Sequence, residues 1–266
     1  MRRTVSAHLE LEIREQTELV LQIAAAAGAG QNDDTFTIAL DGTPLEPSEV
    51  AGAHGTRAHV LAVAPGSLVV DYTATVVGHG APLTCGDEER LIYLRPSRYA
   101  ESDRLGEVAA REFGGVVGAE NILASVSSWV GRQIMYETGS SLHTHGAVDT
   151  LLAGRGVCRD FAHLVVALLR ARNVPARVAA VYAPGLTPMD FHAVAEAVVD
   201  GAWRAVDATL LAPRTSLVRI ATGRDASDTA FLTVIGGAVD LVGIEVTAVV
   251  AGTLPTDDPR DLVSLG

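Results

Sequence analysis

Cys158 stands where a thiol could become a nucleophile. Gly154-Arg155-Gly156-Val157 turn the chain just before it. The run from Cys158 to Arg172 is apolar on nearly every side, the pattern of a central buried helix, and Asn173 and Pro175 end it. A helix N-terminus carries partial positive charge and free N–H groups. Both favour thiolate over thiol, and the same N–H groups can hold an oxyanion. Arg159 adds a further positive charge. A free cysteine alone is as readily an inert core thiol. Cys85, in a polar Thr-Cys-Gly-Asp loop read as having no helix after it, is the weaker candidate.

A general base is the next requirement. Ala193–Val199 and Ala202–Asp207 read as strands joined by Asp200-Gly201, the strongest short hairpin signal. A two-residue turn there sets Val199 against Ala202, Glu196 against Ala205 and Val194 against Asp207. His192 then shares a face with Asp207 as its diagonal neighbour, at roughly 7–8 Å between backbones and less between side-chain tips. A carboxylate at that position can hold one imidazole nitrogen and leave the other free to take a proton. Singly, His192 reads as a strand-end histidine and Asp207 as a turn cap. In order, a helix-start cysteine, a histidine and an aspartate are the layout of a thiol nucleophile with its base and orienting group.

These residues need a scaffold. The 266 residues are 48% hydrophobic and 20% charged, enough for one large or two modest cores and unlike a disordered, collagen-like or disulfide-stapled chain. Val5–Ile13, Thr35–Leu40, Ala58–Ala64 and Leu68–Val77 alternate or run apolar between turn signals, and predict an N-terminal antiparallel β domain over 1–85. Helical stripes follow at Leu105–Phe113 (with Ser102-Asp103 as cap) and Ile122–Ile134, then a short helix at Val148–Ala153. Strands are read at Arg177–Tyr182, in the hairpin and at Val242–Val250. The expected class is therefore α+β, with a second domain over 86–252 and a loose tail at 253–266.

Charge narrows the partners. All 20 basic residues are Arg, and against 32 acidic ones the net charge is −12. Such a surface repels nucleic-acid phosphates and anionic lipid heads, so neither is an expected partner. Two cysteines far apart suit a reduced, cytoplasmic setting. The N-terminus lacks the apolar stretch of a signal peptide, and no run approaches the roughly 18 residues of a membrane span.

With those residues in place, GRGVCRDFAHL at 154–164, DFHAVAE at 190–196 and WRAVDAT at 203–209 resemble the transglutaminase-like cysteine peptidase superfamily. LRPSRYAESDRL at 94–105 and GRDASD at 223–228 are similar to segments of its bacterial branch, which carries a β domain ahead of the core. The resemblance implies a papain-like core with the cysteine helix packed on an antiparallel sheet. It implies Cys158 as nucleophile, His192 as base and Asp207 as third member. The implied reaction is acyl transfer through a thioester, most simply hydrolysis of a peptide, isopeptide or amide bond by a cysteine protease with no cofactor. Transamidation, or a catalytically weak peptide-binding module on the same fold, is the alternative. A peptide or protein is the implied partner. Two positions depart from the family pattern: Val194 stands where it has Trp, and Ala208 where it has Pro. A smaller residue at 194 should leave the His–Asp pair wetter, and losing the proline should loosen the backbone that aims Asp207.

His143, His145, Cys158 and His163 offer a zinc alternative, but the spacing is weak, and five residues after Cys158 places His163 about 140° around the helix. His163 and Asp160 read as structural, and Tyr182 and Trp129 as core aromatics.

Overall fold

A computed structural model describes residues 1–265. Seven strands come first: β1 (Arg2–Ile13), β2 (Thr17–Leu21), β3 (Gln31–Leu40), β4 (Thr43–Leu45), β5 (Ser48–Ala51), β6 (Arg57–Val63) and β7 (Gly66–Val77). Along β1 and β7 alternate residues are buried, as their sequence period requires. Then follow α1 (Asp87–Ile92), α2 (Gly106–Phe113), α3 (Ala119–Gln133), β8 (Met135–Tyr136), α4 (Ala147–Ala153), β9 (Arg155–Gly156) and α5 (Cys158–Ala171). The chain continues through β10 (Ala176–Tyr182), β11 (Phe191–Val199), β12 (Ala202–Val206), β13 (Val218–Gly223), α6 (Ala226–Thr229), β14 (Leu232–Ile235) and β15 (Val239–Val250). The class is α+β, as expected.

The central antiparallel sheet runs β12-β11-β10-β13. α5 covers one face, and Phe161 through Leu169 are buried between that sheet and α2, α3 and α4. Each large aliphatic side chain so buried contributes about 1.5–3 kcal/mol, which is why this helix dispenses with a polar face. At the far end of α5, the buried Arg170 bonds the carbonyls of Arg95, Ala176 and Arg224. It thereby ties the 94–105 and 223–228 segments to the helix that begins at Cys158.

Several expectations need correction. Sequence reading assigns β15 to the second domain, yet it pairs with β1 along nearly its whole length, and β14 pairs with β2. The N-terminal sheets therefore run β15-β1-β7-β3-β4 and β14-β2-β6-β5. Strand periodicity reports which face is buried but not which partner is taken. The tail is also not loose. Arg214, itself buried, holds the Asp257 carboxylate through Nε and Nη2 at 2.8 Å each, and the Asp258 and Asp261 carbonyls. Leu265 is buried against Val181, Val194 and Leu217 on the sheet face opposite α5. Further, α2 begins after Leu105 rather than at Ser102, and α1 starts two residues after Cys85. The two units share a core: Tyr182, Val218 and Ile220 pack among the β1 and β7 side chains, and the Tyr182 hydroxyl donates to the Ile23 carbonyl at 2.7 Å. No helix among the described residues is long and apolar enough to cross a membrane.

Candidate active site

The hairpin register is the one a two-residue turn dictates. Val199 pairs with Ala202, Glu196 with Ala205 and Ala195 with Val206. Asp200 (φ 52°) and Gly201 (φ 75°) are both left-handed, as the tight turn requires. Beyond the last pair, His192 Nε2 donates to Asp207 Oδ2 at 2.8 Å. The other carboxylate oxygen, Oδ1, accepts from the Thr209 N–H (2.9 Å) and hydroxyl (2.6 Å). Two donors from Thr209 thus aim Asp207, the work expected to be weakened without proline at 208. Thr209 escapes sequence reading, although an Asp with Thr two residues on is a recognisable side-chain turn.

The pair is not wetter for having Val194. The His192 and Asp207 side chains are only 1% and 2% exposed. Helix α3 closes over the 207–209 turn, so near that a Cβ on Gly131 would lie 2.8 Å from the Ala208 carbonyl oxygen. On the other side Val194 itself packs among Ala179, Val181, Leu217 and the tail's Leu265.

Cys158 is the first residue of α5 and is half-buried, so a substrate can reach it. The start of the helix is fixed by Asp160, whose Oδ2 takes the Val157 N–H at 2.9 Å. Gly156 is needed there because a Cβ would stand 2.7 Å from Asp160 Cβ. Asp160 Oδ1 accepts from the Ser141 hydroxyl, and Arg159 bonds Ser141 and the Leu142 carbonyl, which lashes the 137–146 loop to the helix start. Tyr136, which sequence reading did not single out, pairs with Gly156 and sets its ring 6.0 Å from Phe161. Its phenol is pushed up to about 12, chiefly by burial and next by the charge of the neighbouring Cys158, while the Cys158 backbone N–H pulls the other way.

Burial alone would push the His192 imidazolium down, but the Asp207 carboxylate and the adjacent Cys158 outweigh it and raise the ring to about 10. Asp207 mirrors this: burial opposes its charge, yet His192 and Thr209 hold it below the usual carboxylate range. The arrangement favours imidazolium beside carboxylate. His192 Nδ1 is buried and has no hydrogen-bond partner among the described residues.

His163 faces elsewhere. Fully buried, it accepts the Ala226 N–H on Nε2 at 3.0 Å and stacks on Tyr99 with ring centres 5.3 Å apart. Burial pushes it to about 4, so it is neutral. It does not gather with Cys158, His143 and His145, and no group of three or more potential metal ligands occurs among the described residues. Cys85 N–H bonds the Gly201 carbonyl, which puts this thiol at the turn end of the hairpin, opposite Asp207. Burial pushes its thiol up. Tyr182 lies in the core, and Trp129 packs edge-on against Phe113.

Cys158 and His192 both line a cleft of about 640 Å³ between the sheet and the N-terminal unit. A half-buried thiol at a helix start, beside an imidazole held by a buried carboxylate, has the parts for covalent acyl transfer.

Residues 109–208 match the model of the transglutaminase-like superfamily. The fold superposes on that of "a Putative Cysteine Protease from Cytophaga hutchinsonii" with a TM-score of 0.87 and 29% identity, covering 98% of this chain and 96% of that one. The uncharacterized protein Rv2569c of Mycobacterium tuberculosis is 29% identical over 135 residues, which is 51% of this chain and 34% of that protein. The uncharacterized protein Mb2599c of Mycobacterium bovis matches to the same extent. The chain thus spans about a third of the length of the curated relatives it matches. Residues 109–208 thus match a transglutaminase-like core, and nearly the whole chain is similar in fold to the Cytophaga hutchinsonii protein.

Proposed function

We propose that the protein is a cysteine-dependent acyl-transfer enzyme that hydrolyses a peptide, isopeptide or amide bond, with Cys158, His192 and Asp207 as its triad. One observation carries the reading: the His192 Nδ1 is buried without a partner beside Cys158, while Nε2 is committed to Asp207. In the proposed mechanism the reactive form pairs a Cys158 thiolate with the His192 imidazolium. Cys158 Sγ attacks the substrate carbonyl carbon, and the C–O pair becomes an oxyanion. The Cys158 backbone N–H and the Tyr136 hydroxyl, which face one another at the helix start, are the donors suited to hold it.

His192 then gives its Nδ1 proton to the amine nitrogen as the C–N bond breaks, leaving a thioester and neutral imidazole. Water loses a proton to Nδ1 and attacks the thioester. Release of the acid restores thiolate and imidazolium. Throughout, Asp207 holds the tautomer by accepting from Nε2. The likeness to a chain described as a cysteine protease favours water over an amine as acceptor. A peptide or protein substrate and the absence of a cofactor follow from this chemistry.

The test is turnover of a pooled quenched-fluorescent peptide library by wild type and by Cys158→Ala. Loss of the nucleophile should lower turnover by a factor on the order of 10⁴ or more. Equal turnover by the two proteins would overturn the assignment. Adding a primary amine reads the acceptor, since transamidation would appear as amide product at the expense of acid.

A further inference from the structure

Apart from Cys158 and His192 themselves, the floor and side wall of the cleft they line are apolar. Val178, Ala180 and Ala193 form its floor, on the sheet face that also packs against α5. Ile220 extends that floor where β13 bulges from its pairing with β10. The side wall is Phe191 stacked on Phe231, with ring centres 5.2 Å apart and planes 25° from parallel. Phe231 comes from the segment leading into β14, which pairs with β2 of the N-terminal unit.

The charges lie at the rim, and most are engaged. Arg159 is bonded to Ser141 and Leu142, and Arg98 lies over the Tyr99 ring. The Asp190 carboxylate takes the Phe191 N–H at 2.7 Å. An apolar lining with few polar groups at one end, in a volume near 640 Å³, has the make-up of a site that takes an apolar group and orients it by its polar end. Here the polar end is the thiol. A charged side chain seated on this floor would lose its hydration without gaining a partner, whereas an aromatic or branched aliphatic one gains burial.

We propose that the substrate is a peptide carrying a large apolar side chain, aromatic or branched aliphatic, next to the bond attacked, and that Phe231 of the N-terminal unit supplies the selecting wall. This rests on Cys158 being the nucleophile. It also gives the N-terminal unit a part in the site: it completes the cleft that the core alone leaves open.

The test uses the full chain with Cys85→Ser, leaving Cys158 as its one thiol. Blocked tripeptides, N-acetylated and C-amidated, with Phe, Leu, Gly, Asp or Arg at the centre, are added while iodoacetamide alkylation of Cys158 is followed. Phe and Leu peptides should half-protect the thiol at concentrations at least tenfold below those of the Gly, Asp and Arg peptides. Phe231→Ser should erase that difference, and Phe231→Leu should retain it for the Leu peptide. Equal protection by all five in wild type, a preference for a charged peptide, or an unchanged preference in Phe231→Ser would overturn the proposal. The alkylation rate without peptide, compared with that of His192→Ala, reports separately on the nucleophile. An ordinary thiol rate would sink the nucleophile, whereas a fast thiol with no peptide preference sinks only the apolar cleft.

Discussion

Asp207→Asn is expected to lower kcat by up to about 10⁴-fold while the protein stays folded, because it reverses the tautomer of His192. The direction follows from Thr209. Its N–H and hydroxyl both donate to Asp207 Oδ1, so the asparagine carbonyl will stay on that side. The amide –NH₂ must then face His192 Nε2, where a carboxylate oxygen now accepts at 2.8 Å. Two donors cannot bond each other, so Nε2 gives up its proton and the ring carries it on Nδ1. In the proposed mechanism Nδ1 is the atom that accepts a proton from the attacking water. The substitution also removes the charge that raises His192 to about 10, so the activity lost should include the imidazolium needed to protonate the leaving amine. A thermal melt within a few degrees of wild type, with kcat/KM falling chiefly through kcat, is the expected pattern. Near-wild-type kcat in a folded Asp207→Asn protein would remove Asp207 from the proposed triad.

The largest expected loss of stability comes from Glu196. Its carboxylate is fully buried and takes Arg177 Nε and Arg219 Nη2 at 2.8 Å each. Arg177 also lies 3.9 Å above the Trp203 ring, and Arg219 bonds the Leu265 carbonyl of the tail. Glu196→Gln leaves two guanidiniums buried with their shared counter-charge gone. The cost should be about 3–5 kcal/mol, as for other buried pairs that lose one member. At this chain length that is on the order of 10 °C or more in Tm. Burial works against the Glu196 charge, but the two arginines hold its pKa below the usual range. A carboxylate depressed in the folded state contributes stability that is fully present above its unfolded pKa of about 4.3 and is lost as pH falls through the folded value. The gap between wild type and variant should therefore be constant near neutrality and shrink on acidification below about pH 4. Urea melts across that range check both statements, and a gap under about 1 kcal/mol at pH 7 would contradict the role given to the network.

Much of the site was legible because its parts are local. The turn dipeptide Asp200-Gly201 sets a register, the register sets which residues share a face, and His192 and Asp207 follow. The helix from Cys158 is announced by its own apolar content and by Gly156, whose missing side chain makes room for the Asp160 cap. What stayed hidden is long-range. An alternating strand such as β15 does not say that its partner is β1, more than two hundred residues earlier in the chain. The tail reads as loose because it is acidic and proline-bearing, and only the buried Arg214 explains why those carboxylates and carbonyls are drawn in. Val194 looked like a breach in the shield around His192 because a pairwise register cannot see Leu265 or the Gly131 face of α3 arriving from elsewhere. Tyr136 lies on a two-residue strand and Phe231 just ahead of β14, with no spacing signal toward Cys158, so only the assembled fold brings them to the thiol and its cleft.

The most direct measurement is the rate of iodoacetamide alkylation of Cys158 at pH 6.5, in Cys85→Ser and in Cys85→Ser with His192→Ala. An ordinary cysteine, with a pKa of about 8.5, is about 1% thiolate there. If His192 and Asp207 hold Cys158 as the anion, the first protein should react on the order of tenfold or more faster than a cysteine in a blocked model peptide. The second should fall to the peptide rate. A Cys158 that reacts no faster than the peptide in both proteins would mean that no ion pair exists and that the thiol is structural.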